Sequence, residues 1–296
     1  MALDGLFEEM VNQAWVEELI RAAVREDLGD YGDITSNALV PNDLKSRAIF
    51  RSREEGFISG LALLPLIKSH YGEGLEINLL AEDGYFASPG TDLAEISGPL
   101  VEILQAERVM LNFLGRLSGI ATLTGQYVAA AGDYEAEIFD TRKTTPGWRE
   151  LEKYAVRCGG GQSHRMGLYD AVLVKDNHIA HIPIDELEEA LSAAIAAARE
   201  QSPAPEFIEI EVDTLEQLQQ VLKCDVDIVL LDNMSNDQMT QAVTMRDDLA
   251  PAVSLEASGG VNLESVNGIA ATGVDRIAVG ALTHSATCLD IGLDID

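Results

Sequence analysis

From residue 136 onward, short apolar runs alternate with longer stretches of helical periodicity, and this alternation constrains the fold more than any other feature. The apolar runs, read as strands, are 136–139, 171–174, 207–212, 228–231, 254–257 and 276–279. The intervening helical stretches include 184–199, 215–223, 236–249 and 263–271. Continuous apolar strands that alternate with helices predict a parallel sheet with right-handed crossovers.

Polar or glycine residues stand at the end of almost every one of these strands. They are Asp140-Thr141-Arg142-Lys143, Lys175-Asp176-Asn177, Glu211, Asp232-Asn233, Ser258-Gly259-Gly260 and Val279-Gly280-Ala281. The carboxyl ends of α/β-barrel strands meet at one mouth, where active sites lie. The sequence therefore favours a barrel over an open sheet and predicts that these residues share one pocket.

The first part of the chain has a different pattern. Residues 14–28 place Trp15, Leu19 and Leu28 at helical spacing, and residues 29–41 are rich in turn formers. Short β-like runs follow at 46–49, 57–62, 75–79 and 92–96, with a short helix expected at 63–70 and a helical stretch at 101–131. This pattern predicts a separate α+β layer domain.

The overall charge excludes some partners. The formal net charge is −30, from 20 basic and 50 acidic residues. Nucleic acids and anionic membranes both require a basic surface, so neither is an expected partner. Such an acidic surface suits a cytoplasm of very high salt, where carboxylate repulsion is screened over a few ångströms, and we expect a halophilic source.

Location follows from three simpler observations. The N-terminus, MALDGLFEEM, is acidic where a secretory signal is basic and then apolar. No apolar run approaches the roughly 18 residues that a membrane span requires. Cys158, Cys224 and Cys288 are odd in number and widely spaced, which predicts reduced, structurally ordinary thiols. A soluble cytoplasmic protein is expected.

The positive charge is concentrated in one segment. Residues 140–176 contain seven basic and five acidic side chains, whereas the rest of the chain has 13 basic and 45 acidic ones. Arg149, Lys153 and Arg157 have the spacing of a solvated, salt-bridged helix face, and that interpretation is favoured for them. The other basic residues of this segment do not fit such a helix, so they predict an anion-binding site.

The predicted pocket combines several chemical groups. Its cations are Arg142, Lys143, Arg165 and Lys175, with His164 beside them. Glu211 and Asp232 are oxygen ligands suited to Mg²⁺ together with substrate phosphates. The turns Ser258-Gly259-Gly260 and Val279-Gly280-Ala281 end the last two strands, the usual phosphate-binding corner of such barrels. Each feature alone is also compatible with a tight turn, a helix cap or a salt bridge; together they predict a site for a magnesium-bound phosphate and a second anion.

Several motifs closely resemble those of the quinolinate phosphoribosyltransferase family, over nearly the whole chain. The central ones are Asp140-Thr141-Arg142-Lys143-Thr144-Thr145-Pro146-Gly147, Lys153-Tyr154-Ala155-Val156, Gly159-Gly160-Gly161, His164-Arg165 and Val174-Lys175-Asp176-Asn177-His178-Ile179. Others are Glu26-Asp27-Leu28-Gly29, Glu107-Arg108, Glu209-Ile210-Glu211-Val212, Leu231-Asp232-Asn233 and Leu282-Thr283-His284-Ser285. Ser163 departs from the pattern, since many relatives have Asn there.

The resemblance implies an α/β fold: an N-terminal α/β sandwich domain (1–117) followed by an incomplete, open α/β barrel (118–282). A C-terminal tail, about 283–296, would pack back on the first domain. It also implies a homodimer, with dimers able to assemble into a hexamer, in which Arg108 is donated across the interface. Phosphoribosyl transfer from 5-phosphoribosyl 1-pyrophosphate (PRPP) to quinolinate, with decarboxylation, is the implied reaction of NAD biosynthesis.

The resemblance also implies residue roles. Arg142, His164, Arg165 and Lys175, with Arg108 of a partner, would hold the quinolinate carboxylates. Lys143, Glu211, Asp232 and the two glycine turns would hold PRPP and Mg²⁺. Thr141 is a further expected substrate-binding residue, and no organic cofactor is expected. Lys143, Glu211 and Asp232 are the expected catalytic residues, and a general-base role for His164 is the alternative to substrate binding.

Two rival functions stay open at this point. One is a related phosphoribosyltransferase that acts on another anionic ring, such as a relative associated with molybdenum transport. The other is a non-catalytic sensor of a phosphorylated metabolite on the same barrel, which would not require Glu211 and Asp232 with Mg²⁺.

Overall fold

A computed structural model of the 296-residue chain describes residue 3 and residues 5–295. Its helices are α1 Leu6–Met10, α2 Gln13–Leu28, α3 Ile34–Leu39, α4 Leu64–Lys68, α5 Leu100–Ala131, α6 Arg149–Cys158, α7 Asp176–Ile179, α8 Leu187–Arg199, α9 Leu215–Val221, α10 Asn236–Leu249, α11 Val266–Ala270 and α12 Ala281–His284. Its strands are β1 Lys45–Ser52, β2 Gly56–Phe57, β3 Glu76–Leu79, β4 Phe86–Ala87, β5 Asp92–Pro99, β6 Glu137–Phe139, β7 Val172–Val174, β8 Ile208–Val212, β9 Ile228–Asp232, β10 Ser254–Ser258, β11 Arg276–Ala278 and β12 Ile291–Ile295.

The chain divides into two compact units. The first consists of Met1–Gly125, Thr144–Gly160 and Leu282–Asp296, and the second of Gln126–Lys143 and Gly161–Ala281. Both units are therefore discontinuous in sequence. The domain bounds expected from the sequence, 1–117 and 118–282, stay a prediction.

The first unit contains a four-stranded antiparallel sheet in the order β12-β1-β5-β3. Its outer strand β12 pairs with β1 from Ala48 opposite Ile295 to Ser52 opposite Ile291. A small two-stranded sheet joins β2 and β4. The expected strand at 57–62 is therefore wrong beyond Phe57, since a 3₁₀ turn forms at Leu61–Leu63.

Two further differences in this unit have local causes. Helix α2 forms as expected, but it buries Val16 and Ile20, while Trp15 is 47% exposed. The Trp15 ring N–H donates to the Gly147 carbonyl, 2.9 Å away, so the indole body stays accessible. The turn-rich stretch at 29–41 contains helix α3, because the Asp33 side chain accepts from the backbone N–H groups of Thr35 and Ser36 and caps its first turn.

The second unit contains a six-stranded parallel sheet in the order β6-β11-β10-β9-β8-β7. The six predicted strands agree with the observed ones to within one residue at every end. Among the described residues β6 and β7 are the two sheet edges, so the sheet does not close into a complete barrel. The predicted mixed α/β fold with an open barrel is confirmed.

Capping side chains explain where two helices of this unit begin. Thr214 and Gln217 form a reciprocal capping box at α9, and Ser235 and Gln238 form one at α10. Each box follows a strand within a few residues, which keeps the loop short at the carboxyl end of the sheet. In the part of the chain that the structure describes, no helix is both long and apolar enough to cross a membrane.

Candidate active site

The strand register brings the polar strand ends together along the carboxyl-end edge of the six-stranded sheet, where its parallel strands finish. Ser258 lies opposite Asp232 on neighbouring strands, and Ala278 lies opposite Phe139. On the other side, Val174 is paired with Ile210, which puts Lys175 next to the level of Glu211. Because all six strands are parallel, the segments that follow them begin at this same edge.

Two arginine side chains form a positive centre near this edge. Arg165 is only 7% exposed, and its Nη1 donates to the Ala171 carbonyl at 3.2 Å. Burial and then the positive charge of Arg142 lower the pKa of Arg165, while Glu209 and Asp170 act in the opposite direction. The buried Nε of Arg142 has no hydrogen-bond partner among the described residues. Two neighbouring guanidinium groups of this kind attract an anionic ligand.

Lys175 and two carboxylates form a second cluster. The ammonium Nζ of Lys175 donates to Oε2 of Glu211 at 2.7 Å; the Lys175 side chain is 47% exposed and that of Glu211 is 9% exposed. Burial and then the negative charge of Glu211 raise the pKa of Asp232, while a hydrogen bond from Asn233 lowers it. The two acids therefore repel each other, and a divalent cation would relieve that repulsion. Their oxygen donors fit Mg²⁺.

The backbone conformation after β9 and β10 allows a ligand to come close to the main chain. Asn233 has φ of 55°, its Nδ2 donates to Oδ2 of Asp232 at 2.7 Å, and its backbone N–H donates to the Ser258 carbonyl. Gly259 and Gly260 have φ of 96° and 63°, which side-chain-bearing residues rarely adopt. Gly259 is packed against Asn233, whereas a Cβ on Gly260 would meet nothing within 4 Å. This turn exposes backbone groups without side chains in front of them, as phosphate binding requires.

The other turn residues occupy the ends of β6 and β11. Thr141 is half-buried, and its Oγ1 accepts from the backbone N–H of Lys143 at 3.1 Å, while the Lys143 side chain is exposed. Val279 is buried, and its N–H donates to the Phe139 carbonyl; Gly280 and Ala281 are half-buried. The Ser163 hydroxyl is buried without a hydrogen-bond partner among the described residues.

His164 lies below this edge with both ring nitrogens engaged. Its Nδ1 accepts from the backbone N–H of Arg165 at 2.8 Å, and its Nε2 lies 2.7 Å from Oε2 of Glu209. The backbone N–H of His164 donates to Oδ1 of Asp140 at 2.9 Å. This geometry is at odds with the expectation that His164 binds a substrate carboxylate directly, because its ring nitrogens already have partners.

A buried charged layer, formed by His164, Glu209, Glu256 and Arg276, was not recognised from the sequence. Glu209 and Glu256 are 0% exposed. Arg276 donates from Nε to Oε2 of Glu256 at 2.8 Å, and its guanidinium carbon lies 3.7 Å from the centre of the Phe139 ring. Burial, as the largest effect, raises the pKa of each of the two glutamates to about 7. The available signal was a charged residue inside an otherwise apolar parallel strand, as in Ile208–Val212.

Two predicted sets of basic residues lie in the first unit. Arg108 is on α5 with its side chain 63% exposed, 3.8 Å from the carboxylate of its neighbour Glu107. Arg149, Lys153 and Arg157 are all on α6, as expected, but the prediction of a solvated face is wrong for Lys153, which is fully buried. The reason is that seven of the ten α6 residues are buried and the other three are only half-exposed, so this helix has no fully solvated face.

Comparison with known proteins gives a consistent result over both units. Residues 33–118 match the family model for the N-terminal domain of quinolinate phosphoribosyl transferase, and residues 120–294 match that for its C-terminal domain. A nicotinate-nucleotide pyrophosphorylase (carboxylating) from Mycobacterium leprae is 45% identical over 281 residues, which cover 94% of this chain and 96% of that protein. A quinolinate phosphoribosyltransferase (decarboxylating) from Nicotiana tabacum is 39% identical, covering 95% and 82% of the two chains.

The fold agrees with a solved structure as well. The nicotinate-nucleotide pyrophosphorylase from Francisella tularensis superposes with a TM-score of 0.88 at 35% identity, covering 97% of this chain and 98% of that one. Sequence and fold thus match along almost the entire length. The chain belongs to the quinolinate phosphoribosyltransferase family.

Proposed function

We propose that the chain carries out the reaction of its family at the carboxyl-end edge of the six-stranded sheet. It transfers the phosphoribosyl group of PRPP to quinolinate and releases nicotinate mononucleotide, pyrophosphate and CO₂, a step of de novo NAD biosynthesis. The observation that carries this assignment is the neighbouring pair Arg142 and Arg165 in a protein of net charge −30. Such a pair is costly unless an anion is bound there.

The charged groups divide between the two substrates. Arg142 and Arg165 bind the quinolinate carboxylates, with Lys175 as a third cation; guanidinium groups do so with two parallel hydrogen bonds. Lys143 binds the pyrophosphate of PRPP, and the turns at Ser258–Gly260 and Val279–Ala281 bind phosphate through backbone N–H groups. Thr141 supports this binding by holding the Lys143 backbone.

The chemical step requires positioning and charge stabilisation more than proton transfer. The pyridine nitrogen forms a bond to the ribose carbon as the bond from that carbon to pyrophosphate breaks with its electron pair. Lys143 stabilises the negative charge on the departing group, and the carboxylates of Glu211 and Asp232 favour the transient positive charge on the sugar. The quaternised ring then accepts the electron pair of the breaking C–CO₂ bond, and a proton from water replaces CO₂.

Glu211 and Asp232 are the residues that would hold Mg²⁺, together with substrate phosphates. When bound, Mg²⁺ supplies neutralisation of the pyrophosphate charge. The two acids fit this role because they are close enough for Glu211 to raise the pKa of Asp232. Lys175 balances part of the charge on Glu211.

We further propose that the protein is a homodimer in which Arg108 reaches the quinolinate site of the partner subunit. The support is the match of the Glu107-Arg108 motif to the family pattern and the 63% exposure of the Arg108 side chain. The hexamer and the cytoplasmic location stay predictions.

A single assay separates the candidate functions. The purified protein is incubated with PRPP, Mg²⁺ and either quinolinate carrying ¹⁴C in its 2-carboxylate or nicotinate, and both pyrophosphate and ¹⁴CO₂ are measured. We expect equal amounts of pyrophosphate and CO₂ with quinolinate and little reaction with nicotinate, which lacks the second carboxylate. Preference for nicotinate would favour a related transferase, and binding of PRPP without turnover of either ring would favour a sensor.

A further inference from the structure

The ring of His164 is held in one tautomer by its neighbours. The backbone N–H of Arg165 donates to Nδ1, so that nitrogen has no proton, and the ring proton is on Nε2. This Nε2–H faces Oε2 of Glu209 at 2.7 Å and Oε1 of Glu256 at 3.5 Å. Phe207 packs edge-on against the ring, with the centroids 5.4 Å apart.

The same histidine fixes the position of the Arg165 backbone. Its Nδ1 holds the Arg165 amide, and its own amide donates to the buried carboxylate of Asp140, the residue before Thr141-Arg142-Lys143. Asp140 thereby fixes residues 164 and 165 to the segment that provides Arg142. The direction of the Arg165 side chain depends on these two backbone hydrogen bonds and on its bond to Ala171.

Glu209 lies where it can fix the orientation of the His164 ring, one layer deeper in the sheet than the strand ends. It precedes Glu211 by two residues on β8, so both side chains lie on the same face of the strand, with Glu209 one layer deeper. Glu256 has the same relation to Ser258 on β10 and is held by Arg276. The buried charged layer is thus rigidly attached to the strands that end in the site.

We propose that Glu209 is a positioning residue for quinolinate binding, which acts through the Nε2–H tautomer of His164 to aim the Arg165 guanidinium at a substrate carboxylate. His164 then supports Arg165 and does not itself touch the substrate. The inference rests on the proposed function, because the role of Glu209 is expressed only through quinolinate.

Two substitutions of Glu209 distinguish the effect of its hydrogen-bond acceptor from the effect of its side-chain volume. Glu209→Gln keeps an oxygen that accepts from Nε2–H, whereas Glu209→Leu fills similar space without an acceptor. We expect Glu209→Leu to raise the KM for quinolinate by about tenfold or more, the usual cost of a misplaced charge-assisted contact. The KM for PRPP should change less than twofold, and Glu209→Gln should restore most of the quinolinate KM. Glu137→Leu is the matched control, since Glu137 lies on β6 of the same sheet but is exposed, and its carboxylate accepts a hydrogen bond from the Gln162 side chain at the surface.

The tautomer itself gives a readout independent of activity. In ¹⁵N-histidine-labelled wild-type protein, two-bond ¹H–¹⁵N spectra should show the Nε2–H form for one buried ring, identified by its loss in His164→Gln. An Nδ1–H form would overturn the proposal, even if Glu209→Leu does not fold. A folded Glu209→Leu protein with an unchanged quinolinate KM would do the same. Failure of the wild-type protein to consume quinolinate would instead refute the proposed function. The NMR measurement of the His164 tautomer does not depend on that activity.

Discussion

The Lys175 ammonium lies 2.7 Å from the Glu211 carboxylate, and so joins the last residue before α7 to a strand-end acid on β8. One cation thus serves both halves of the proposed site: it is available to a quinolinate carboxylate and it balances a proposed Mg²⁺ ligand. With about half of its side chain exposed, Lys175 can exchange Glu211 for a ligand without a large desolvation cost.

Reversing the charge of Lys175 should therefore greatly reduce activity with quinolinate. Lys175→Glu would place a third carboxylate beside Glu211 and Asp232, and we expect kcat/KM for quinolinate to fall by more than about a hundredfold. Lys223→Glu is the matched control, because Lys223 is similarly exposed and pairs with a surface acid, Glu188. Steady-state kinetics with circular dichroism on both variants checks this, and near-normal turnover by folded Lys175→Glu would remove this residue from the site.

Removing either proposed Mg²⁺ ligand should change the metal requirement. In Asp232→Asn and Glu211→Gln we expect the Mg²⁺ concentration for half-maximal rate to rise by about tenfold or more, since an anionic oxygen ligand is lost in each. Mn²⁺ binding in the presence of PRPP, followed by electron paramagnetic resonance, should weaken in parallel. Asp225→Asn, at an exposed ion pair with Arg199, should change neither quantity; unaltered Mn²⁺ binding in all three variants would exclude the assignment.

The two adjacent glycines of the phosphate turn should differ in their tolerance of a methyl group. A Cβ at Gly259 would overlap the Asn233 side chain and lie 2.9 Å from its backbone nitrogen, so Gly259→Ala adds a clash to the strain of its φ. We expect a loss of about 3 kcal/mol in the free energy of unfolding for Gly259→Ala. For Gly260→Ala, with open space at its Cβ, about 1 kcal/mol is expected. Urea denaturation compares them, and equal losses would contradict the packing described for Asn233.

A mixing experiment tests the proposed origin of Arg108. Arg108→Ala and Lys175→Glu should each be nearly inactive, but a dimer containing one subunit of each would retain one complete site if Arg108 crosses the interface. Random mixing after unfolding and refolding should then recover about a quarter of the wild-type activity. Refolding each variant separately is the control, and no recovery on mixing would mean that Arg108 acts within its own subunit or not at all.

Salt should stabilise this protein strongly. The net charge of −30 produces repulsion that is screened at about 3 Å in molar salt. We expect loss of secondary structure in dilute buffer, recovery on addition of molar KCl, and a much smaller effect of sucrose, which does not screen charge. An unchanged melting temperature from low to high KCl would contradict the expected halophilic origin.

The strands of the second unit could be predicted well, because each is a short, mainly apolar run that ends in polar or glycine residues. The side of α2 that is buried could not be predicted from the sequence. Apolar side chains such as Trp15, Val16 and Ile20 occur around much of that helix, and only tertiary packing determines that Val16 and Ile20 are buried. Periodicity identifies a helix more reliably than the side that it buries.

The candidate site shows the same division. Arg142, Arg165 and Lys175 could be singled out because they are cations in a strongly acidic chain, and because Arg142 and Lys175 also follow predicted strands. The hydrogen bond between His164 and Glu209 could not be found in this way, since it joins residues that are far apart in sequence. Hydrogen-bond partners of this kind emerge only from the strand register.

The pairing of β12 with β1 has a consequence for biosynthesis. Until residues 291–295 have left the ribosome, β1 presents unpaired backbone groups along one side, although its other partner, β5, has long been made. An open strand edge of this kind recruits other chains. Nascent chains of this protein should therefore be most vulnerable to aggregation late in translation, and a chaperone that shields that edge would raise the yield of folded enzyme.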